Sequence, residues 1–249
     1  MFLANPWYKD VVDDYRELTK DELLEDMASG CEFGSVCINT ALYLPWLISQ
    51  CTRNGVVFRR GNIKHISDAA SMSHTGNKVD IIINATALGA RKLGGVLDPK
   101  MIPIRAQVVV VRNVSERMVT QSGTDDDDDD VCYVMTRAAG GGTILGGTYQ
   151  KGNWDSQPDL NVANRIMQRA LKIAPELTNG QGVKGLDIIR HGVGLRPFRE
   201  GGVRLEKEKI DGTWIVHNYG HAGWGYQGSY GCAERVLELV QEIVQRPKL

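Results

Sequence analysis

Neither sign of charge dominates this chain of 249 residues, in which 29 Lys and Arg stand against 30 Asp and Glu. It therefore carries no electrostatic footprint for nucleic acid or for an anionic membrane surface, and neither is an expected partner. Long apolar runs are missing as well: the longest, Ala41 to Ile48 with Pro45 inside it, falls far short of the ~20 residues that cross a bilayer. Lys9 and Asp10 interrupt the start before an apolar stretch can form, so a secretory leader is not expected. Cysteine is sparse. Cys31, Cys37, Cys51, Cys132 and Cys232 are odd in number and include no C-x-x-C pair, which argues against a disulfide framework and a zinc site. They read as small buried apolar residues in a reducing compartment. His217 and His221 are spaced i, i+4, but on a strand and a turn rather than a helix, so no metal is expected there.

Glycine, by contrast, is plentiful and clustered. In HNYGHAGWGYQGSYG, from His217 to Gly231, a strand is expected to end at Tyr219 and a helix to begin at about Ala233, with five glycines in or next to the turn between them. A sharp turn that must approach a ligand closely needs glycine, and the N–H groups at the start of a helix favour negative charge or an electron-rich ring.

Elsewhere, TKDELLEDM (Thr19 to Met27) reads as a short capped helix, and Asn39 to Gln50 as a helix kinked or delayed by Pro45 and ended by Gly55. Val56 to Phe58 reads as a strand. Lys78 to Thr86 has the continuous apolar run of a strand buried on both faces of a parallel sheet. Val108 to Val111 reads as a further strand, while Tyr133 to Thr136 and Thr143 to Leu145 form an antiparallel hairpin around Gly140 to Gly142. Asn161 to Leu177 and Ala233 to Gln245 are amphipathic helices. The six aspartates Asp125 to Asp130 repel one another and predict a solvated loop. Parallel-sheet chemistry giving way to antiparallel hairpins and returning implies two interleaved domains, one α/β and one built on a mixed sheet.

Three segments in order, VCYVMTRAAGGGTILGGTYQKGNW (from Val131), RHGVGLRPFREGG (from Arg190) and the glycine-rich turn, closely resemble the D-amino-acid oxidase family of FAD-dependent enzymes. NPWYKDVVDDY, SVCINTALYLPWLISQC and DIIINATALGARKLGG fit the same family in sequence order. The resemblance implies a Rossmann-like FAD-binding domain over 34–96 and 198–249, interleaved with an α+β substrate domain on a mixed, largely antiparallel sheet over 1–33 and 97–197. It also implies FAD as cofactor and a D-amino acid and O2 as small-molecule partners, and it leaves a homodimer open. Members open with a strand, a G-x-G-x-x-G turn and a helix, whereas this chain opens at MFLANPWYKD; no such turn is read after any expected strand. The FAD domain is therefore expected to be incomplete.

Within the resemblance, Arg196 matches the carboxylate-binding arginine, a role that suits the planar guanidinium fork. Tyr133 matches a tyrosine that donates its hydroxyl to the same carboxylate, and Tyr149 in GGTYQ a second one. Gly223, Trp224, Gly225, Tyr226 and Gln227 match the segment along the flavin ring, with Gly223 facing the substrate amine. Ile63 falls at the adenine end, and Thr86 and Ala87 fall beside the cofactor, Ala87 and Ala106 standing where glycines are usual. D-Aspartate oxidases tend to carry arginine at the position of Tyr149, so the expected reaction is oxidative deamination of neutral D-amino acids to 2-keto acids, ammonia and hydrogen peroxide. A D-aspartate oxidase and a non-catalytic remnant are the alternatives. Pro247-Lys248-Leu249 resembles a peroxisomal address, giving a peroxisomal or otherwise cytoplasmic expectation.

Overall fold

A computed structural model describes residues 6–25, 27–121 and 130–245. Most of the aspartate run and the C-terminal tripeptide lie outside the described residues. In chain order the strands are β1 (Asp13–Glu17), β2 (Cys31–Gly34), β3 (Ile81–Asn84), β4 (Met101–Val111), β5 (Val119–Gln121), β6 (Asp130–Thr136), β7 (Thr143–Thr148), β8 (Gln150–Lys151), β9 (Ile188–Arg199), β10 (Arg204–Ile210) and β11 (Thr213–Tyr219). The helices are α1 (Thr40–Arg53), α2 (Leu160–Ile173) and α3 (Ser229–Val244). The chain divides into two compact units, one of residues 1–50, 106–150 and 156–194, the other of 51–105, 151–155 and 195–249.

The first unit is a helix on a sheet. β5, β6, β7 and β4 lie side by side in that order, and the β6–β7 and β7–β4 pairings are antiparallel. Alternate residues Val109 and Val111, Cys132 and Val134, with Leu145, present one apolar face, since side chains on a strand alternate. α2 covers it with Val162, Ala163, Ile166, Met167, Ala170 and Ile173, the same-face spacing of a helix. Its start is fixed by Asp159, which accepts from the backbone N–H groups of Asn161 (2.7 Å) and Val162 (3.2 Å). The buried Gln107 side chain also brackets Asp159, donating to its carbonyl and accepting from its N–H. Pro175 cannot continue α2, so the chain leaves through a 3-10 turn to Thr178, with Asn179 left-handed at φ 48°.

The second unit carries a three-stranded sheet in the order β10-β11-β3. β10 and β11 form a hairpin whose two-residue loop, Asp211-Gly212, has positive φ at both positions (48° and 79°), the turn that this dipeptide favours. β3 pairs with β11 in parallel, and Ile82 and Ile215 pack with Ile66, Ala70 and Leu93 beneath them. α3 packs against β10 and β11.

Several elements differ from the sequence expectation. Within the helix expected over Thr19 to Met27, residues 19–25 form turns instead: Glu22 folds back to accept from the Thr19 N–H and hydroxyl and from Arg16, which hold its carboxyl down at about 2. One such turn without a buried apolar face does not propagate. α1 runs from Thr40 through Pro45 to Arg53 and ends at Gly55 (φ 82°), but none of its residues is buried. Val56 to Phe58 is exposed coil that pairs with no strand among the described residues. β3 is an edge strand in a mixed sheet, with Ile82 buried and Ile83 45% exposed, so it is covered on one face only. Of the cysteines only Cys132 is buried. α3 begins four residues before the expected Ala233. Among the described residues no helix is long and apolar enough to cross a membrane.

Candidate functional site

In the second unit β3 and β11 run parallel with Asn84 opposite His217, so both strands leave the sheet at the same edge. The carboxyl ends of parallel strands are where open α/β sheets take ligands. Beyond β11 the chain turns at Gly220 (φ 97°), where a β-carbon would come within 2.7 Å of the Arg199 Cβ; only glycine fits. The turn is then anchored twice through His221. Its backbone forms an antiparallel bridge with Phe198 on β9, and its Nε2 lies 3.3 Å from Cys232 Sγ on α3. Burial pushes the His221 pKa down, which favours the neutral ring.

The next six residues, Gly223-Trp224-Gly225-Tyr226-Gln227-Gly228, carry the G-x-G-x-x-G spacing between a strand and a helix, which corrects the expectation that no such turn follows a strand. Its local form is distinct from a tight strand-to-helix turn. Ala222 to Trp224 make a 3-10 turn, Gly225 is helical (φ −56°, ψ −40°), and α3 starts only at Ser229. Gly228 caps α3 without a side-chain acceptor, so the first-turn N–H groups gain nothing from a capping side chain. Trp224 and Tyr226 are exposed beside them. Glycine backbone, helix-start donors and two exposed aromatic rings suit a planar ligand that bears negative charge.

Arg196 enters this turn from β9. A β-carbon built on Gly223 would stand 3.7 Å from its Cδ and 3.9 Å from its Nε, which is ordinary contact, so the half-buried guanidinium stem runs alongside the glycine. The structure thus brings together Arg196 and the segment Gly223 to Gln227. Thr86 and Ala87 follow the end of β3 at this edge: Thr86 is exposed and Ala87 is held at φ 51°, a left-handed conformation that glycine adopts more easily. The β-carbon of Ala106, in contrast, is buried within β4. The side chain of Ile63 packs against the apolar cluster of Ile66, Ile82 and Ile215.

Tyr133 and Tyr149 belong to the first unit. Tyr133 is on β6 opposite Gly146, and its ring occupies the space a β-carbon on Gly146 would need; a β-carbon on Gly147 would lie 3.2 Å from its hydroxyl. The glycine pair in GGTYQ therefore makes room for this ring. Tyr149 is half-buried, directly between β7 and β8.

Sequence reasoning missed a buried polar chain below the edge. His217 and Asn84 are 0% and 1% exposed. His217 Nδ1 lies 3.0 Å from Asn84 Nδ2 and its Nε2 2.8 Å from Glu208 Oε1. Arg204 donates to Glu208 (2.8 Å), Glu206 (2.7 Å) and the Tyr219 hydroxyl (3.0 Å), and Tyr219 and Arg199 both donate to Asp98 (2.9 and 2.7 Å). Burial opposes ionisation of Asp98, but the bonds from Arg199, Tyr219 and the Lys100 backbone outweigh it and hold its carboxyl below the ordinary value. Burial, reinforced by the positive charge of Arg204, lowers the His217 pKa against the pull of Glu208 and Glu206. The signal was present as alternate polar residues in RLEKEK and as His217 in the strand before the turn, but alternation alone does not tell a solvated face from a buried network. Among the described residues no group of His, Cys, Asp and Glu is arranged to hold a metal ion.

Residues 7–239 match the model of the family described as FAD dependent oxidoreductase. The chain is 58% identical over its whole length to a D-amino-acid oxidase of Fusarium vanettenii, of which it covers 69%. It is 34% identical over 243 residues to a D-amino-acid oxidase of Schizosaccharomyces pombe, covering 96% of this chain and 66% of that one. The chain thus spans about two thirds of the length of these relatives. Among solved structures, glycine oxidase from Geobacillus kaustophilus superposes over 94% of this chain and 65% of its own, with a TM-score of 0.70 at 19% identity, a likeness of fold.

Proposed function

Because the chain belongs to the family of FAD-dependent oxidoreductases, we propose that it takes part in the oxidative deamination of neutral D-amino acids to 2-keto acids and ammonia. The observation that carries this reading is the guanidinium stem of Arg196 running alongside Gly223 at the carboxyl edge of β3 and β11. A flavin fits the residues present: the glycine backbone of Gly223 to Gly228 admits close approach of a ring, the uncapped start of α3 favours its negative charge, and Trp224 and Tyr226 offer apolar cover. FAD held by these residues would supply the two-electron oxidant for the substrate Cα–H bond, with O2 as the terminal acceptor and hydrogen peroxide as its product.

The protein's own part is positioning. Arg196 would take the substrate carboxylate through two parallel charge-assisted bonds, which fixes the acid end and leaves one orientation for Cα. The Gly223 carbonyl, with no side chain over it, would accept from the substrate amine. With the amine neutral, its lone pair forms the C=N bond as hydride leaves Cα, so no side-chain base at carbon is required; the imino acid product then hydrolyses in water to the 2-keto acid and ammonia. The family resemblance assigns the hydroxyls of Tyr133 and Tyr149 to the same carboxylate, and Tyr149, in place of arginine, supports a neutral side chain over a second carboxylate.

The test is a peroxide-coupled assay with D-alanine, D-aspartate and the L-enantiomers, alongside the visible spectrum of purified protein given FAD. Flavin uptake and turnover of D-alanine are expected. Arg196→Met should lower kcat/KM by about a hundredfold, with flavin uptake intact. Colourless protein that takes up no FAD would overturn the reading, and preferential turnover of D-aspartate would move it to the acidic-substrate branch. We place the reaction in the peroxisome by the Pro247-Lys248-Leu249 ending, a proposal checked by imaging a tagged chain with and without that tripeptide.

A further inference from the structure

His217 is fully buried, makes no contact in the mechanism above, and yet connects to the turn at the end of β3 by a chain whose proton positions are fixed by chemistry. The Asn84 Oδ1 accepts from the Thr86 backbone N–H (3.2 Å) and hydroxyl (2.7 Å). An N–H can only donate, so this side of the amide is its oxygen and the other side, toward His217, is its NH2. His217 Nδ1 must therefore be the acceptor at 3.0 Å. Its proton then resides on Nε2 and is donated to the Glu208 carboxylate at 2.8 Å, whose same oxygen also accepts from Arg204.

Each link in this chain pairs a donor with an acceptor, and its far end is Thr86, where the turn begins. That turn has a reason to need holding. Thr86 starts a 3-10 turn and Ala87 is left-handed at φ 51°, a conformation an alanine abandons unless its surroundings impose it. The parallel register sets His217 directly across from Asn84, three residues before Gly220, where the glycine-rich turn begins.

We infer that Glu208, His217 and Asn84 form a positioning relay that holds the Thr86–Ala87 turn in the shape that receives the flavin. The inference rests on the reading of this edge as a flavin site, and His217 is a positioning residue that touches no reacting atom.

Hydrogen exchange of residues 85–91 and the FAD dissociation constant from fluorescence titration test it on the full chain. In His217→Leu, exchange in this segment should rise about tenfold and FAD should bind about tenfold more weakly. Asp98→Asn, which disturbs the network without reaching Asn84, should lower the melting temperature while both readouts stay within twofold of wild type. Asn84→Asp keeps the acceptor for Thr86 and sets a carboxylate against Nδ1. It should therefore protect the turn, while 15N NMR shows His217 changing from the Nε2–H tautomer to the doubly protonated ring. This conservative variant also carries the test if His217→Leu does not fold. Unchanged exchange at 85–91 in His217→Leu, or a neutral His217 in Asn84→Asp, overturns the relay. Wild-type protein that binds no FAD overturns the flavin reading instead, and the exchange and NMR results still decide whether the relay holds the turn.

Discussion

In the first unit a helix of fourteen residues lies on a sheet, and the cluster between them is wholly aliphatic or sulfur-containing; in the second, a sheet of three strands has a smaller apolar cluster around Ile66, Ile82 and Ile215 and is tied in addition by Asp98, Arg199, Arg204, Glu208 and His217. The first unit's apolar cluster is buried throughout and the polar chain is buried at His217 and Asp98 but reaches the surface at Glu208, and the physics differs. Burying apolar area stabilises in proportion to area and is indifferent to protonation, whereas a buried charged chain is stable only when every partner is present and in the right protonation state. The unit that carries the candidate site is thus the one whose stability is conditional.

The sharpest way to break this comparison is to remove one member from each core. Asp98→Ala strands Arg199 and the Tyr219 hydroxyl together, and should cost about 3–5 kcal/mol in urea unfolding at neutral pH. Leu145→Ala should cost a similar amount, about 2–5 kcal/mol, from lost burial and the cavity left behind. The two separate with pH. The Asp98 carboxyl is held below its ordinary value, so its contribution is complete above that value and fades as acid protonates it; the deficit of Asp98→Ala should shrink at low pH, while that of Leu145→Ala should not. Equal pH dependence for both would mean that the polar chain is not what holds the second unit.

A smaller effect should appear at milder acidity. The His217 pKa is lowered in the folded state, so between the folded value and the ordinary 6.5 the unfolded chain binds more protons. Stability therefore rises with pH across that window; it is complete above 6.5 and is lost as pH falls below it. The groups facing the ring are Arg204, which disfavours protonation, and Glu206 and Glu208, which favour it. Protection factors for β11 should fall between pH 7.5 and 5.5, while those for β7 stay level. Parallel loss in both strands would erase the distinction between the units.

The same contrast explains what was legible in the sequence. α2 was readable because Ile166, Met167, Ala170 and Ile173 repeat with helical period, and the β6–β7 hairpin because its glycine triplet punctuates two β-branched runs. The carboxyl edge was readable at Arg196 and the glycines through the resemblance. The Glu208–His217–Asn84 chain was not, since Asn84 and His217 are 133 residues apart and meet only through a parallel pairing that no local pattern encodes. β3 misled for a related reason: the run IIIN has the composition of a strand covered on both faces, but coverage depends on what is packed against it, and Ile83 is exposed. The helix expected at Thr19 failed because its capping residues find each other and Arg16 without any apolar face to bury.

The smallest expected effect sharpens the comparison at one residue. Ala87 holds a left-handed φ of 51° that costs an alanine roughly 1–2 kcal/mol relative to glycine, partly offset by the greater freedom of glycine when unfolded. Ala87→Gly should therefore stabilise the protein by about 0.5–1 kcal/mol if the relay alone imposes the conformation. The gain should be larger in a His217→Leu background, where the turn has lost its support and strain is no longer opposed. Melting temperatures of the two single variants and the double variant measure this directly. A purely additive result would mean that the strain at Ala87 and the buried histidine below it are independent, and that the turn is shaped by its own backbone rather than by the polar chain beneath the sheet.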